Sequence, residues 1–316
     1  MQEDARPKLP NVDGSGYSAR VARSSERIGE YRLVAEIART PSAIVYEAEH
    51  LVLPRRALLK VIAAPTERLA VRALREPFLL ETLQHPGIPR VYDSALLPDR
   101  RPWFARELVD GPTLAMRLGS RSGSRVDVIA FVRDVAETLA YAHSRGVVYA
   151  GLRPDRILLA DRGRGFGVCL ADWSDARTHD AAPVPYALSP GGWPYASPEL
   201  VAGDAIDDRA DVFALGAIAY EILTGVEPAP QHVPTEVRCA DAPPELTGLV
   251  DQMLAFDRWD RPSAAEVCAD LGWLVEVLAS SQLRMRKPRW TPQIAMAAVE
   301  DDAYDELAIG DDHADT

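Results

Sequence analysis

The apolar period of this chain of 316 residues changes once, near Gly111, and that change limits the folds open to it. Before it, short β-branched and aromatic runs alternate with turn residues: Tyr31-Arg32-Leu33-Val34, Ala43-Ile44-Val45-Tyr46-Glu47-Ala48 and Ala57-Leu58-Leu59-Lys60-Val61-Ile62. Runs of this kind predict an antiparallel meander. Apolar positions at Leu69, Val71, Leu74, Phe78 and Leu79 predict one helix over 67–83, and two further strands are predicted over 88–94 and 103–109. After Gly111 the period becomes helical over 126–144, 210–224, 244–254 and 264–278. A small lobe of strands with one helix, then a larger helical lobe, is a bilobal α+β plan.

Composition removes several classes of function. A net charge of −12 argues against nucleic-acid or anionic-membrane partners, which favour basic faces. Cys169, Cys239 and Cys268 lack metal-type spacing and read as reduced thiols. The longest apolar run, 212–223, is broken by Glu221 and is too short to span a bilayer, so it reads as a buried helix. Residues 1–23 hold no apolar h-region, and a cytoplasmic location is expected. Polar, Gly- and Ser-rich residues 1–26 are expected to be flexible. A basic cluster (Arg284, Arg286, Lys287, Arg289) and an acidic stretch over 300–315 make 281–316 an expected disordered tail. The globular domain is thereby placed at 27–280, with lobes 27–111 and 112–280.

Landmarks recur in a fixed order along that domain. Lys60 ends Ala57-Leu58-Leu59-Lys60, and Glu76 precedes His85-Pro86. Glu107-Leu108-Val109-Asp110-Gly111 follows, then Tyr141-Ala142-His143-Ser144-Arg145-Gly146, Asp172-Trp173-Ser174, Ser197-Pro198-Glu199, Asp211 and Arg261. With this order and spacing, residues 31–278 resemble the eukaryotic-like serine/threonine protein kinases of bacteria. The resemblance implies a bilobal protein-kinase-like fold. It makes Lys60 and Glu76 an ion pair, 107–111 the hinge, Asp172 the metal-binding aspartate, and Glu199 and Arg261 a structural pair. Val45, Lys60, Glu76, Glu107, Val109, Leu158 and Asp172 become the remnant of a nucleotide site, with Asp172 its metal ligand.

The same resemblance exposes departures. Where the family reads H-R-D-L-K-P-x-N, this chain reads Tyr149-Ala150-Gly151-Leu152-Arg153-Pro154-Asp155-Arg156. Gly151 stands at the catalytic aspartate and has no side chain to accept a proton, a contribution typically worth ~10²–10⁴-fold in rate. Arg156 stands at the magnesium-binding asparagine, and a guanidinium has no lone pair for a metal. Asp155, next door, is expected to point elsewhere. Arg153 and Gly192 replace the lysine and threonine that partner the lost aspartate. Ala38, Thr40 and Ala43, with Pro41 among them, replace the loop glycines that let a backbone approach phosphates. Leu58 fills space left for adenine, Arg106 sits at the gatekeeper, and Ser174 replaces a glycine.

Arg156 or Arg106 is expected to neutralise Asp172 in place of a metal. Leu80, Val91, Tyr149 and Trp173 occupy the positions of the family's regulatory spine, which predicts a closed, active-like shape. Thr178, Tyr186 and Ser189 are phosphoacceptor candidates, and Tyr304, Leu307 and Ile309 could dock the tail on a partner or on its own domain. The resemblance thus implies a pseudokinase that binds a protein partner, an active kinase among the candidates, with no cofactor expected. Two alternatives stay open: a weakly active serine/threonine kinase, and a nucleotide sensor holding ATP with Mg at low affinity.

Overall fold

Alternating polar and apolar residues let each N-terminal strand bury one face against a core. The computed structural model describes residues 20–21, 26–40, 42–63, 67–118, 125–160, 164–179, 181, 193–228 and 233–285. Its strands β1 (Arg20–Val21), β2 (Arg27–Ile28), β3 (Tyr31–Arg39), β4 (Ala43–His50), β5 (Arg56–Ile62), β6 (Val91–Leu96) and β7 (Pro102–Glu107) form one antiparallel sheet. The order is β1-β3-β4-β5-β7-β6, with β2 also paired to β3. Ala57, Leu59 and Val61 pack with Tyr31, Leu33, Ala48, Trp103 and Ala105 on one face. Leu58 and Lys60 therefore turn to the other face, toward the cleft.

Arg20–Val21 lies in the stretch expected to be flexible, yet it pairs with Glu36 and Ala35 of β3. A free sheet edge offers unpaired N–H and C=O groups that template such a strand.

Helix α1 (Glu67–Thr82) buries Glu76, Leu79 and Leu80. With Leu83 just beyond it, these residues are spaced i, i+3, i+4 and i+7, so they form one stripe. Phe78, expected on the apolar face, falls on the opposite side and is 76% exposed. The helical lobe contains α2 (Leu114–Arg117), α3 (Arg125–Ser144), α4 (Pro198–Ala202), α5 (Arg209–Thr224), α6 (Thr235–Arg238), α7 (Pro244–Met253) and α8 (Ala264–Met285). Short strands β8 (Val147–Val148) and β11 (Arg177–Thr178) pair, as do β9 (Ile157–Leu159) and β10 (Val168–Leu170). Helix α5 is buried almost all round, which explains why its sequence is apolar on every face. Helix α8 runs on to Met285, past the boundary placed at 280.

Arg261 Nη1 and Nη2 donate to the two carboxylate oxygens of Glu199 at 2.7 and 2.9 Å, the buried pair expected from the sequence. Among the described residues no helix is long and apolar enough to cross a membrane.

Candidate functional site

The β5 register puts Lys60 opposite Phe104 on β7 and Val45 on β4, all on the cleft face. Lys60 Nζ donates to Glu76 Oε2 at 2.6 Å. Burial opposes the lysine's charge, yet the carboxylates of Glu76 and Asp172 outweigh it and raise the Lys60 pKa above its ordinary value. Leu80 of α1 joins Tyr149 and Trp173 in the main core, with Val91 packed against them. The Tyr149 and Trp173 rings meet edge to face with centroids 4.8 Å apart, and Trp173 Nε1 donates to the Leu170 carbonyl at 2.7 Å. The four spine positions thus share one core cluster, and the Lys60–Glu76 bond holds α1 inward.

Below the cleft, α3 hands over to the 149–156 loop, which α5 holds from beneath. Asp211 Oδ2 accepts from Tyr149 N at 2.8 Å, and Oδ1 from Ala150 N at 2.7 Å. His143 Nε2 lies 2.9 Å from Asp211 Oδ2. These bonds hold Ala150 at φ 57°, a left-handed conformation that costs a residue with a Cβ ~1–2 kcal/mol.

The next residue, Gly151, faces Arg156. A Cβ built on Gly151 would lie 2.2 Å from Arg156 Nη1, so the guanidinium occupies the space a side chain at 151 would enter. Arg156 is 8% exposed and well anchored. Its Nη1 donates to Asp175 Oδ2 at 2.7 Å and to the Gly151 carbonyl at 3.3 Å, and its Nη2 lies 3.4 Å from Asp172 Oδ2. Burial alone would push the Asp172 carboxyl up, but the Arg156 and Lys60 charges hold it down at about 2. For Arg156, burial opposes the charge, and Asp172, Tyr149 and Asp175 more than compensate, leaving its pKa raised.

The loop therefore presents no side-chain base at 151, and both nearby carboxylates are tied to one cation. A divalent ion at Asp172 would have to compete with the guanidinium 3.4 Å from its Oδ2. Among the described residues no group of three or more His, Cys, Asp or Glu side chains could hold a metal. Asp155 is engaged by Arg153 at 2.8 Å and points to solvent, as the sequence led us to expect. Arg106 makes no contact with Asp172, so of the two cations expected to neutralise it, Arg156 alone does so.

Above the cleft, the β3–β4 hairpin closes on itself. Ala43 N donates to Thr40 Oγ1 at 3.0 Å, and Thr40 N to the Ala43 carbonyl at 2.8 Å. Backbone N–H groups that a Gly-rich loop would aim at phosphate are here bonded within the turn. Pro41 and Gly192 lie outside the described residues, as do Tyr186, Ser189 and the tail beyond 285. Thr178 is exposed on β11. Buried Leu158 lies on β9 opposite Cys169 in the helical lobe, while Val45 and Leu58 lie on the cleft face of the sheet. Val109, half-buried, follows Glu107 in the hinge.

Two contacts went unanticipated. Arg164 donates through Nη1 and Nη2 to the Glu107 carboxylate, through Nε to the Pro86 carbonyl at 2.8 Å, and through Nη2 to the Ile88 carbonyl at 3.3 Å. Arg56 Nη1 lies 3.1 Å from both Asp110 oxygens, while its Nη2 donates to Glu47 at 2.9 Å. The hinge is thus latched at both ends. Asp175 as a partner of Arg156 was also missed, although its place three residues after Asp172 left it within reach.

Comparison with known proteins agrees with this geometry. The sequence profile described as protein kinase domain matches residues 31–272. The serine/threonine-protein kinase PknL of Mycobacterium tuberculosis is 32% identical over 289 residues, spanning 85% of this chain and 71% of PknL. The serine/threonine-protein kinase Pkn1 of Myxococcus xanthus is 34% identical over 205 residues, 63% of this chain and 29% of Pkn1. PknB of Mycolicibacterium smegmatis, also a serine/threonine-protein kinase, is 33% identical over 257 residues, 72% of this chain and 40% of PknB. The match thus spans under a third of Pkn1 and two fifths of PknB. With sheet, hinge, spine and buried pairs in place and relatives of this kind, the chain belongs to the protein kinase domain family, among the eukaryotic-like serine/threonine kinases of bacteria.

Proposed function

We propose that this chain is a pseudokinase, a kinase-fold module that acts by binding a protein partner and does not transfer phosphate. The observation that carries the reading is Arg156 standing in the space of a side chain at Gly151 while paired to Asp172 and Asp175. Phosphoryl transfer is catalysed by positioning and by neutralising charge spread over the equatorial oxygens, with metal ions bridging the phosphates. Here one guanidinium stands where a base at 151 would reach and pairs with the carboxylate that would hold a metal. An intact spine and a latched hinge favour a fixed surface, which suits recognition by a partner, an active kinase among the candidates. The protein partner and the cytoplasmic setting are part of the same proposal, as is the assignment of Val45, Lys60, Glu76, Glu107, Val109, Leu158 and Asp172 to a nucleotide-site remnant.

A second reading keeps one observation on its side. The intact Lys60–Glu76 pair is the geometry that holds phosphates in this family, so ATP with Mg at low affinity, without turnover, is the alternative.

A radiolabelled transfer assay and a thermal-shift titration separate these readings. The expected result is no phosphate transfer above that of a Lys60→Ala control, and no stabilisation by millimolar ATP with or without Mg²⁺. Transfer that disappears in Asp172→Ala would overturn the proposal, and a Mg-dependent shift without transfer would establish the sensor.

A further inference from the structure

Arg106 on β7 lies directly opposite Leu58 on β5, and directly opposed residues share a face. The neighbouring pair on that face is Lys60 and Phe104, whose ring carries the ammonium 5.9 Å from its centroid. Arg106 is 8% exposed, and its Nε is buried without a hydrogen-bond partner. Its charge reaches both walls of the cleft. It opposes the charge of Lys60 above, and it holds back the Cys169 thiol below, which burial pushes up to about 11. Cys169 lies opposite Leu158 in the β9–β10 pair. The guanidinium therefore belongs to the cleft face beside Leu58, and the part of the cleft between Leu58 and Leu158 is a slot within reach of its charge.

The other cations around this cleft are matched. Lys60 has Glu76, Arg156 has Asp172 and Asp175, Arg56 has Asp110 and Glu47, and Arg164 has Glu107. Arg106 alone among them has no carboxylate or carbonyl bonded to it among the described residues. A buried, unmatched cation is unfavourable.

We propose that Arg106 is the recognition group of a ligand site in this slot, and that the ligand is a planar aromatic carboxylate. The apolar ring would lie between Leu58 and Val45 on one side and Leu158 on the other. Its carboxylate would accept from the guanidinium, whose planar fork presents donors in the geometry a carboxylate accepts. A ring carrying an amine at that edge would set donor against donor. The inference goes beyond the pseudokinase reading and rests on the slot, not on the 149–156 loop.

Calorimetric titration of the full chain without metal tests it, with 2-naphthoate, its neutral isostere 2-naphthamide, and adenosine as probes. The expected result is naphthoate binding at least tenfold tighter than naphthamide and tighter than adenosine. In Arg106→Met the acid and amide should bind alike. Equal affinity for acid and amide in the unmodified protein overturns the proposal, as does adenosine binding the tighter, or no heat from any probe at millimolar concentration. An acid preference that survives Arg106→Met overturns it too. Should that variant fail to fold, the acid-to-amide ratio of the unmodified protein decides alone. No phosphate or metal enters the measurement, so its outcome is independent of whether transfer activity exists.

Discussion

Arg156 links two carboxylates that would repel one another without it. Replacing it with glutamine takes a cation from both Asp172 and Asp175 and leaves Lys60 as the remaining cation that holds the Asp172 carboxyl down. A fully buried pair broken in this way costs ~3–5 kcal/mol; because Asp172 keeps 38% side-chain exposure, we expect about 1–3 kcal/mol. The pH dependence follows from the depressed Asp172 carboxyl. Its folded value near 2 lies below the ~3.9 of an unfolded aspartate, so the stability it contributes is complete above roughly pH 4. That stability is lost as the pH falls toward 2. In Arg156→Gln the folded value should rise, and acid unfolding should begin at a higher pH than in the parent. Urea midpoints measured between pH 2 and 6 for both proteins test this directly. At Gly151, aspartate introduced alone should fail to restore transfer, because the Arg156 guanidinium, free to shift from the new Cβ, would pair with the carboxylate; the pair Gly151→Asp with Arg156→Asn removes that cation.

Helix α5 shows how an element fixes a loop it does not contain. Its Asp211 takes two backbone N–H bonds from 149 and 150 and faces His143. Asp211→Ala strands two buried donors, each worth about 1–3 kcal/mol, and also releases the left-handed turn at Ala150. We expect a loss of about 2–5 kcal/mol, read as a shorter denaturant midpoint and faster amide exchange at 149–151. The sheet strands from β3 to β7 and the long helices were legible, because alternation and 3.6-residue spacing record which face each element buries, although β3 and α8 run on past their expected ends and the short elements carried no such period. Phe78 escaped that logic: an apolar residue can sit on a helix without belonging to its stripe. The landmarks from Lys60 to Arg261 were legible through their order, and the Arg156–Asp172 contact through their shared neighbourhood in the resemblance. Asp175, Arg56 and Arg164 were not, since surface charges carry no periodic signal and their partners lie far along the chain. Arg164 and Glu107 are separated by 57 positions, a distance only the fold closes.

At the scale of the molecule, the two lobes are joined by more than the hinge backbone. Arg164 ties the β9–β10 connection to Glu107 and to the carbonyls of Pro86 and Ile88, while Arg56 ties the sheet to Asp110. Arg164→Ala should lower stability by about 1–3 kcal/mol through lost charge-assisted hydrogen bonds. It should also speed hydrogen exchange at 107–111 several-fold, with little change in β3–β5; unaltered exchange at the hinge would show that the latch does not restrain it. The contact between residues 151 and 156 has a further reach, into how such a chain can change over generations. A single substitution to aspartate at 151 meets only the flexible tip of the arginine, which can shift and pair with the new carboxylate, whereas a single loss of the arginine takes a cation from both Asp172 and Asp175. Only the route that loses the arginine first therefore passes through a less stable protein, so the way back toward a working catalytic loop is easier when position 151 changes before position 156.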